Sequence, residues 1–264
     1  MAHELTSADV AGSAELGALA EIGFMIDDVP ACEVLTPLRI GDRACFALSY
    51  DRSGLAAQLR SGGELVVAFT DSRLAYKGWK PLVARARCDV FADPEGALFS
   101  SKLLDQELRK HPPSRLLIDT PLMRREHWWY VPRWIVRLVE VLDVHPIDLR
   151  ATPDVGLLVY RNDLGLDARS TTVKDWGASE LDLGAGENDL TGPALVMTHD
   201  FSIPDLEDRS TYVVSGRLDG NRLLVEGREG ARGLGRRRKL MQRLRHQGRL
   251  QRECVQQLRR HGHA

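Results

Sequence analysis

Residues 79–91, WKPLVARARCDVF, alternate strictly between apolar and mostly polar side chains. Successive side chains of a β-strand point to opposite faces of a sheet, so this stretch predicts a strand with one buried and one polar face. The apolar face comprises Leu82, Ala84, Ala86, Cys88 and Val90, and the other face comprises Val83, Arg85, Arg87 and Asp89.

A second alternating strand is predicted at residues 133–144, RWIVRLVEVLDV, directly after an aromatic segment. Glu140 interrupts its apolar series, which makes the register beyond that point less regular than in the first strand. We expect Trp134, Val136, Leu138, Leu142 and Val144 to face inward and Arg133, Arg137 and Asp143 to face outward.

The other elements also favour sheets over helices. Strands are expected at residues 43–50 and 64–70, with a short helix between them that ends at a Gly-Gly pair. A longer helix is expected within residues 93–113, and Asp219-Gly220 predicts a hairpin. Because the strands follow one another too closely for βαβ crossovers, the fold class is mainly β (α+β).

The chain is expected to have four parts. Residues 1–18 are rich in small residues and predict a flexible leader or short helix, and residues 19–150 carry the alternating strands. Residues 151–228 form a β-rich extension, although residues 161–192 show only weak periodicity. Residues 229–264 predict a basic amphipathic helical tail.

Composition narrows the class of protein. The 264 residues are 43% hydrophobic and 28% charged, which is ordinary for a globular chain. No window approaches the ~20 apolar residues of a membrane span, and the N-terminus lacks the pattern of a secretory signal. The four cysteines are far apart and form no metal-binding or disulfide pattern. We therefore expect a cytoplasmic protein with neither a metal site nor a membrane association.

Element order provides a family resemblance over residues 35–148. The segments AQLRSGGELVVAFTDSR, PLVARARCDVFADPEG, FSSKLLDQELRKHPPS and HWWYVPRWIVRLV follow one another as strand, strand, helix and strand. In this order they resemble the pyridoxamine 5'-phosphate oxidase-like split β-barrels. The resemblance implies a split β-barrel with flanking helices, here followed by the β-rich C-terminal extension and the basic terminal helix.

The resemblance also implies a function. Members of this family bind FMN or a deazaflavin at the interface of a homodimer, and the flavin supplies the redox chemistry. A small-molecule oxidoreductase is therefore expected, with a small-molecule substrate. The cofactor-binding residues that the resemblance nominates are Ser49, Tyr50, Arg52, Lys77, Lys80, Arg85, Arg87, Trp129 and Arg133.

These assignments have plain structural alternatives. Trp128, Trp129 and Trp134 suit core or dimer-interface packing as well as a wall against a flavin ring. The arginines and lysines suit surface ion pairs as well as a phosphate. His127 and His199 have no catalytic partner in the sequence and are expected to be structural or surface residues.

The basic tail leaves another function open. Residues 228–264 contain twelve Lys and Arg against two Glu, whereas the whole chain has a net charge of −1. The tail is expected either to dock on its own acidic body or to bind nucleic acid. Two departures from the family, Ala86 in place of a glycine and the missing Arg/Lys pair of the early hairpin, favour a cofactor-free binding or regulatory module.

Overall fold

The computed structural model describes residues 5–150, 152, 154–184, 190–204, 206–235 and 240–263, without the side chains of residues 240, 241, 243 and 244. Within these ranges, thirteen strands form two antiparallel sheets, and the first sheet curls into a half-barrel. The predicted mainly β split barrel with flanking helices is confirmed. Over the same ranges, no helix combines the length and hydropathy needed to cross a membrane.

The first sheet has the order β2-β1-β5-β6-β7-β4-β3. Its long strands β6 and β7 pair along most of their length and form its centre. The strands are β1 (Ala20–Ile26), β2 (Val29–Leu35), β3 (Leu38–Ile40), β4 (Arg43–Ser49), β5 (Glu64–Phe69), β6 (Leu82–Asp93) and β7 (Arg133–Pro146).

The second sheet has the order β10-β13-β12-β11-β8-β9. The predicted hairpin at Asp219-Gly220 is confirmed, because it joins two of these strands with Asp219 paired to Arg222. The strands are β8 (Val155–Asn162), β9 (Gly165–Thr172), β10 (Glu180–Asp182), β11 (Thr191–Phe201), β12 (Arg209–Asp219) and β13 (Arg222–Gly230).

Helices flank the barrel at both ends of the chain and between its strands. The helix expected within residues 93–113 is divided into a π-helical turn (Phe99–Leu103) and a short α-helix. Short 3-10 turns precede α2 and β7. The α-helices are α1 (Ser7–Leu16), α2 (Ser53–Gly62), α3 (Leu104–Lys110), α4 (Arg115–Ile118), α5 (Pro121–Glu126) and α6 (Leu240–Arg260).

The outer face of the barrel is covered by the second sheet of the same chain. Val66 and Val83 point away from the barrel interior and pack with Val159 and Leu195 in one apolar cluster. At Gly23 the two sheets approach so closely that an added Cβ would lie 2.7 Å from Val159 Cγ1. The extension is therefore a second layer of the fold.

The basic helix α6 docks on the barrel. Cys254 and Leu258 are fully buried and belong to the core of the first sheet. The Cys254 thiol also donates to Asp51 Oδ1 at 3.4 Å, in the turn that follows β4. The apolar face of α6 therefore packs against the chain's own barrel, as one of the two interpretations of the tail expected.

The sequence pattern misplaces part of β7. Register shifts interrupt the pairing of β6 and β7 between Arg85 and Ala86 and between Arg87 and Cys88. As a result Val141, rather than the expected Leu142, packs against the barrel core. A bulge adds one residue to one strand and so reverses which side chains face inward beyond it.

Candidate functional site

A small cleft, here called the β4 cleft, lies where β4 ends and both sheets meet. Its volume is about 110 Å³. Ser49 and Arg52 contribute from the end of β4 and the following turn, Glu107 from α3, His111 from the residue directly after α3, and Arg209 from β12. Two of the nominated residues, Ser49 and Arg52, are thus brought together with three polar residues that the sequence did not nominate.

The residues from the β4 turn are held in place by acidic neighbours. The Ser49 hydroxyl donates a hydrogen bond to Asp51 Oδ1. The Arg52 guanidinium forms an ion pair with Glu33, with 2.7 Å between Nη2 and Oε2. Because this pair is only half-buried, the remaining guanidinium donors of Arg52 stay accessible to a ligand.

Arg209 is the notable cation of this cleft. Its Nε and Nη2 atoms are buried and have no hydrogen-bond partner among the described residues. Burial lowers the pKa of Arg209, and the nearby Glu107 carboxylate opposes that effect. A buried guanidinium donor without an acceptor is costly, so this position favours an acceptor that a ligand brings.

The wall opposite is a hydrogen-bonded group on α3 and the segment after it. Ser114 Oγ donates to Glu107 Oε1 at 2.9 Å and lies 2.8 Å from His111 Nδ1 and 3.2 Å from the Tyr130 hydroxyl. Burial alone would raise the pKa of Glu107, but His111 and the positive charge of Arg133 hold it below its ordinary value. Glu107 is therefore an ionised carboxylate that is stabilised by His111, Ser114 and Arg133.

Three other nominated residues are part of the barrel interior. Trp129 is 0% exposed, and the Tyr50 ring lies 5.2 Å from the Trp134 ring in the same core. The Arg133 guanidinium lies 4.1 Å from the Phe99 ring centre and 4.0 Å from that of Tyr130. Trp129 packs against the Tyr130 ring inside the barrel. Arg133 was expected to face outward, but it faces inward.

The four remaining nominated residues lie elsewhere. Lys80 forms an ion pair with Asp9 at 2.7 Å, and Arg87 forms one with Glu140 at 2.6 Å. Arg85 Nη1 is 2.8 Å from the position of a Cβ built on Gly165, so it points toward the second sheet, and Lys77 is exposed in a loop. Lys77, Lys80, Arg85 and Arg87 are absent from the described lining of the β4 cleft.

Sequence reasoning missed Glu107, His111 and Arg209. Glu107 and His111 lie one helical turn apart on a predicted helix, which is a weak signal because most such pairs are surface pairs. Arg209 comes from the second sheet, and its local sequence, DRSTY, has no motif. Only the packing of the second sheet on the barrel brings it to Arg52.

Comparison with known proteins shows distant structural similarity. No family model and no curated protein sequence matches the chain. A heme binding protein from Mycobacterium smegmatis has a TM-score of 0.37 and 12% identity, with 97% of this chain and 100% of that chain covered. A putative pyridoxamine 5'-phosphate oxidase from Listeria innocua has a TM-score of 0.32 and 10% identity, covering 54% and 98%. A conserved hypothetical protein from Mycobacterium tuberculosis has a TM-score of 0.39 and 14% identity, covering 57% and 89%. Similarity at this level assigns neither a family nor an activity.

Proposed function

We propose that this chain binds FMN or a deazaflavin through its phosphate in the β4 cleft and acts as a small-molecule oxidoreductase. The observation that carries the proposal is the pair of buried, unpartnered donors on Arg209, on the same cleft as Ser49 and Arg52. The resemblance of residues 35–148 to the pyridoxamine 5'-phosphate oxidase-like barrels supports the choice of a flavin.

The charges of the cleft suit a phosphate group. Two guanidinium groups, of Arg52 and Arg209, and one carboxylate, that of Glu107, line the cleft, and Glu33 pairs with Arg52 from outside this lining. A guanidinium presents its N–H donors in a fork that matches the oxygens of a phosphate. His111 adds positive charge when it is protonated, and Ser49 adds a hydroxyl. The residues present therefore fit a phosphate monoester.

The protein's part in this chemistry is to bind and orient. Bound flavin would supply hydride or electron transfer, which the side chains of this cleft do not provide. Arg209 and Arg52 hold the phosphate, and Glu107 fixes His111 and Ser114 at the opposite wall. Since about 110 Å³ accommodates a phosphate rather than a whole cofactor, the rest of the ligand lies outside the cleft.

The homodimer belongs to the same proposal. Three large apolar side chains close together in the chain are exposed: Leu116 by 71%, Leu122 by 65% and Trp128 by 47%. Exposed apolar groups of this kind are typical of protein interfaces. We expect light scattering to give twice the mass of the chain, and Leu116→Glu with Leu122→Glu to give the monomer mass. A wild-type chain of monomer mass would contradict the dimer.

The cofactor is tested by spectroscopy. The protein is purified without added cofactor, and its absorption spectrum is recorded before and after titration with FMN and with a deazaflavin. We expect one of the two to bind saturably and to stay with the protein during gel filtration. A protein that is colourless and binds neither compound would overturn the proposal.

The exposed face of α6 supports a second function, binding of nucleic acid by a cofactor-free module. Arg252, Arg259 and Arg260 are exposed, whereas Cys254 and Leu258 face the barrel. Truncation of the tail would uncover the core, so the test is charge removal by Arg252→Gln, Arg259→Gln and Arg260→Gln. Nucleic-acid affinity that falls steeply with salt in the wild type and is weakened in this triple variant would support this function.

A further inference from the structure

A larger cleft lies between the two sheets, on the other side of β12 from the β4 cleft. Its volume is about 640 Å³, within the range of small-molecule sites. We call it the His199 cleft. The polar side chains that matter for its chemistry are Arg73, Arg150, Thr198, His199, Ser210 and Arg232.

The floor of the His199 cleft is a buried ionic network. Arg150 donates from Nη2 to Glu21 Oε1, and Thr70 Oγ1 donates to Glu21 Oε2 at 2.6 Å. Arg150 Nη1 also lies 3.0 Å from His199 Nδ1, so it donates to a neutral imidazole. The side chains of Arg150 and His199 are 5% and 3% exposed. These contacts fix the Arg150 guanidinium in one orientation.

A second ionic group fixes the side of the cleft. Arg73 makes a forked contact with Asp71, and its Nη1 donates to Asp200 Oδ1 at 2.8 Å. The Arg73 guanidinium also lies 4.1 Å from the centre of the Phe201 ring. Arg73 is thus held by two carboxylates. Because these carboxylates use its donors, Arg73 forms part of the wall of the cleft and is not proposed to bind the ligand.

Three buried polar atoms on this cleft have no hydrogen-bond partner within the described part of the chain: Arg150 Nε, His199 Nε2 and Ser210 Oγ. His199 Nε2 lies 3.4 Å from the Asp71 carboxylate, which leaves Arg150 Nε and Ser210 Oγ as the donors for a ligand. Both of these residues line the cleft, and Arg150 is more than nine-tenths buried.

Arg232 stands at the same cleft, with its Nη2 3.6 Å from Asp154 Oδ1. Each of the three arginines contacts a carboxylate: Arg150 contacts Glu21, Arg73 contacts Asp71 and Asp200, and Arg232 contacts Asp154. The unpartnered donors, rather than an excess of positive charge, therefore mark this cleft as a candidate site.

We propose that the His199 cleft binds a small organic anion, whose carboxylate or phosphate oxygens accept hydrogen bonds from Arg150 Nε and Ser210 Oγ beside Arg232. The proposal is independent of the flavin in the β4 cleft. Donors that are already oriented and dehydrated bind such a group without the cost of ordering them. The carboxylates of Glu21 and Asp71 lie behind this surface and are occupied by Arg150, Thr70 and Arg73.

The test uses two probes, succinate and inorganic phosphate, in calorimetric titrations at constant ionic strength with chloride. We expect saturable binding of at least one probe, weakened roughly tenfold or more by Ser210→Ala and by Arg232→Gln, as expected for lost hydrogen bonds to a charged group. The control is Arg217→Gln, an exposed arginine of the same strand. The two probes distinguish a carboxylate ligand from a phosphate ligand.

Phosphate is also expected in the β4 cleft, so its titration is repeated in the Arg209→Gln background. One site should remain there, and Ser210→Ala should remove it. Failure of both probes to bind, or binding unchanged by both Ser210→Ala and Arg232→Gln, would overturn this proposal. Flavin binding is measured separately in the Ser210→Ala protein. Because Ser210 does not line the β4 cleft, flavin binding by this variant would leave the proposed function intact even if the anion proposal failed.

Discussion

Arg209 and Ser210 are neighbours in β12, yet their side chains line different clefts. Arg209 lines the β4 cleft, and Ser210 lines the His199 cleft. Neighbouring residues of a strand point to opposite sides, so one strand of the second sheet supplies a polar group to each cleft. The second sheet therefore takes part in both proposed sites.

Arg209 should reduce the stability of the protein when no anion is bound. Its buried Nε and Nη2 lack partners among the described residues, so Arg209→Met should raise the free energy of unfolding by about 1 kcal/mol. Urea unfolding in an anion-poor buffer measures this value. Arg217→Met, at an exposed position, should leave it unchanged. A clear loss of stability in Arg209→Met would mean that the guanidinium is already satisfied by the protein.

His199 should make stability depend on pH. Burial and the neighbouring Arg150 lower the pKa of His199 from 6.5 to about 4. Between those values the unfolded chain takes up a proton at this residue and the folded chain does not. Stability should therefore be complete above pH 6.5 and fall as the pH drops toward 4, by on the order of 3 kcal/mol in total.

This pH effect is measured by urea unfolding at pH 7 and pH 5, with His199→Gln as the comparison. Burial raises the pKa of Asp71, but the contacts with His199 and Arg73 outweigh burial and hold this pKa at about 2, so the carboxylate stays ionised throughout the window. We expect a smaller stability difference between the two pH values in the variant. An equal difference in both proteins would assign the effect to other groups.

Gly23 should be required for the packing of the two sheets. A Cβ there would lie 2.7 Å from Val159 Cγ1 and 2.8 Å from Val66 Cγ2. Gly23→Ala should lower the free energy of unfolding by about 1–3 kcal/mol, the usual cost of overpacking. Gly54 has open space around its Cβ position, so Gly54→Ala in α2 should be neutral or stabilising. Thermal unfolding of both variants checks the contrast.

The docking of α6 should depend on Leu258 more than on Leu250. Leu258 is 0% exposed in the barrel core, whereas Leu250 is only partly buried at its edge. Leu258→Ala should cost about 2–5 kcal/mol, as in other buried leucine sites, and Leu250→Ala clearly less. Equal and small effects in chemical unfolding would indicate that this helix does not dock in solution.

Local patterns in the sequence located individual strands because alternation is a local property, whereas the split barrel was predicted from the resemblance in element order. The alternation around Leu82 and Val83 located β6, and the Asp219-Gly220 turn located the second sheet's hairpin. The β1 and β2 strands gave no clear signal: Glu21 interrupts the apolar run of β1, and it is buried only because Arg150 reaches it from a distant segment.

The sites were harder to predict than the fold. Both clefts combine residues from the barrel with residues from β11 or β12, and no sequence spacing reports such long-range proximity. The arginines Arg85 and Arg87 were nominated because of their alternation, and neither of them belongs to the described lining of the β4 cleft. His199 looked like an ordinary residue in MTHDF, although it lies in a buried network. The FMN assignment, the homodimer, the domain limits and the cytoplasmic location stay predictions.

The central claim is that Arg209 in the β4 cleft recognises the phosphate of a flavin. The direct test compares the affinities of FMN and riboflavin, which differ by that phosphate, in the wild-type protein and in Arg209→Gln. We predict that the wild type binds FMN at least tenfold more tightly than riboflavin, and that Arg209→Gln removes most of this difference while leaving riboflavin affinity unchanged. An equal preference for FMN in both proteins would contradict this claim, and so would a protein that binds neither FMN, riboflavin nor a deazaflavin.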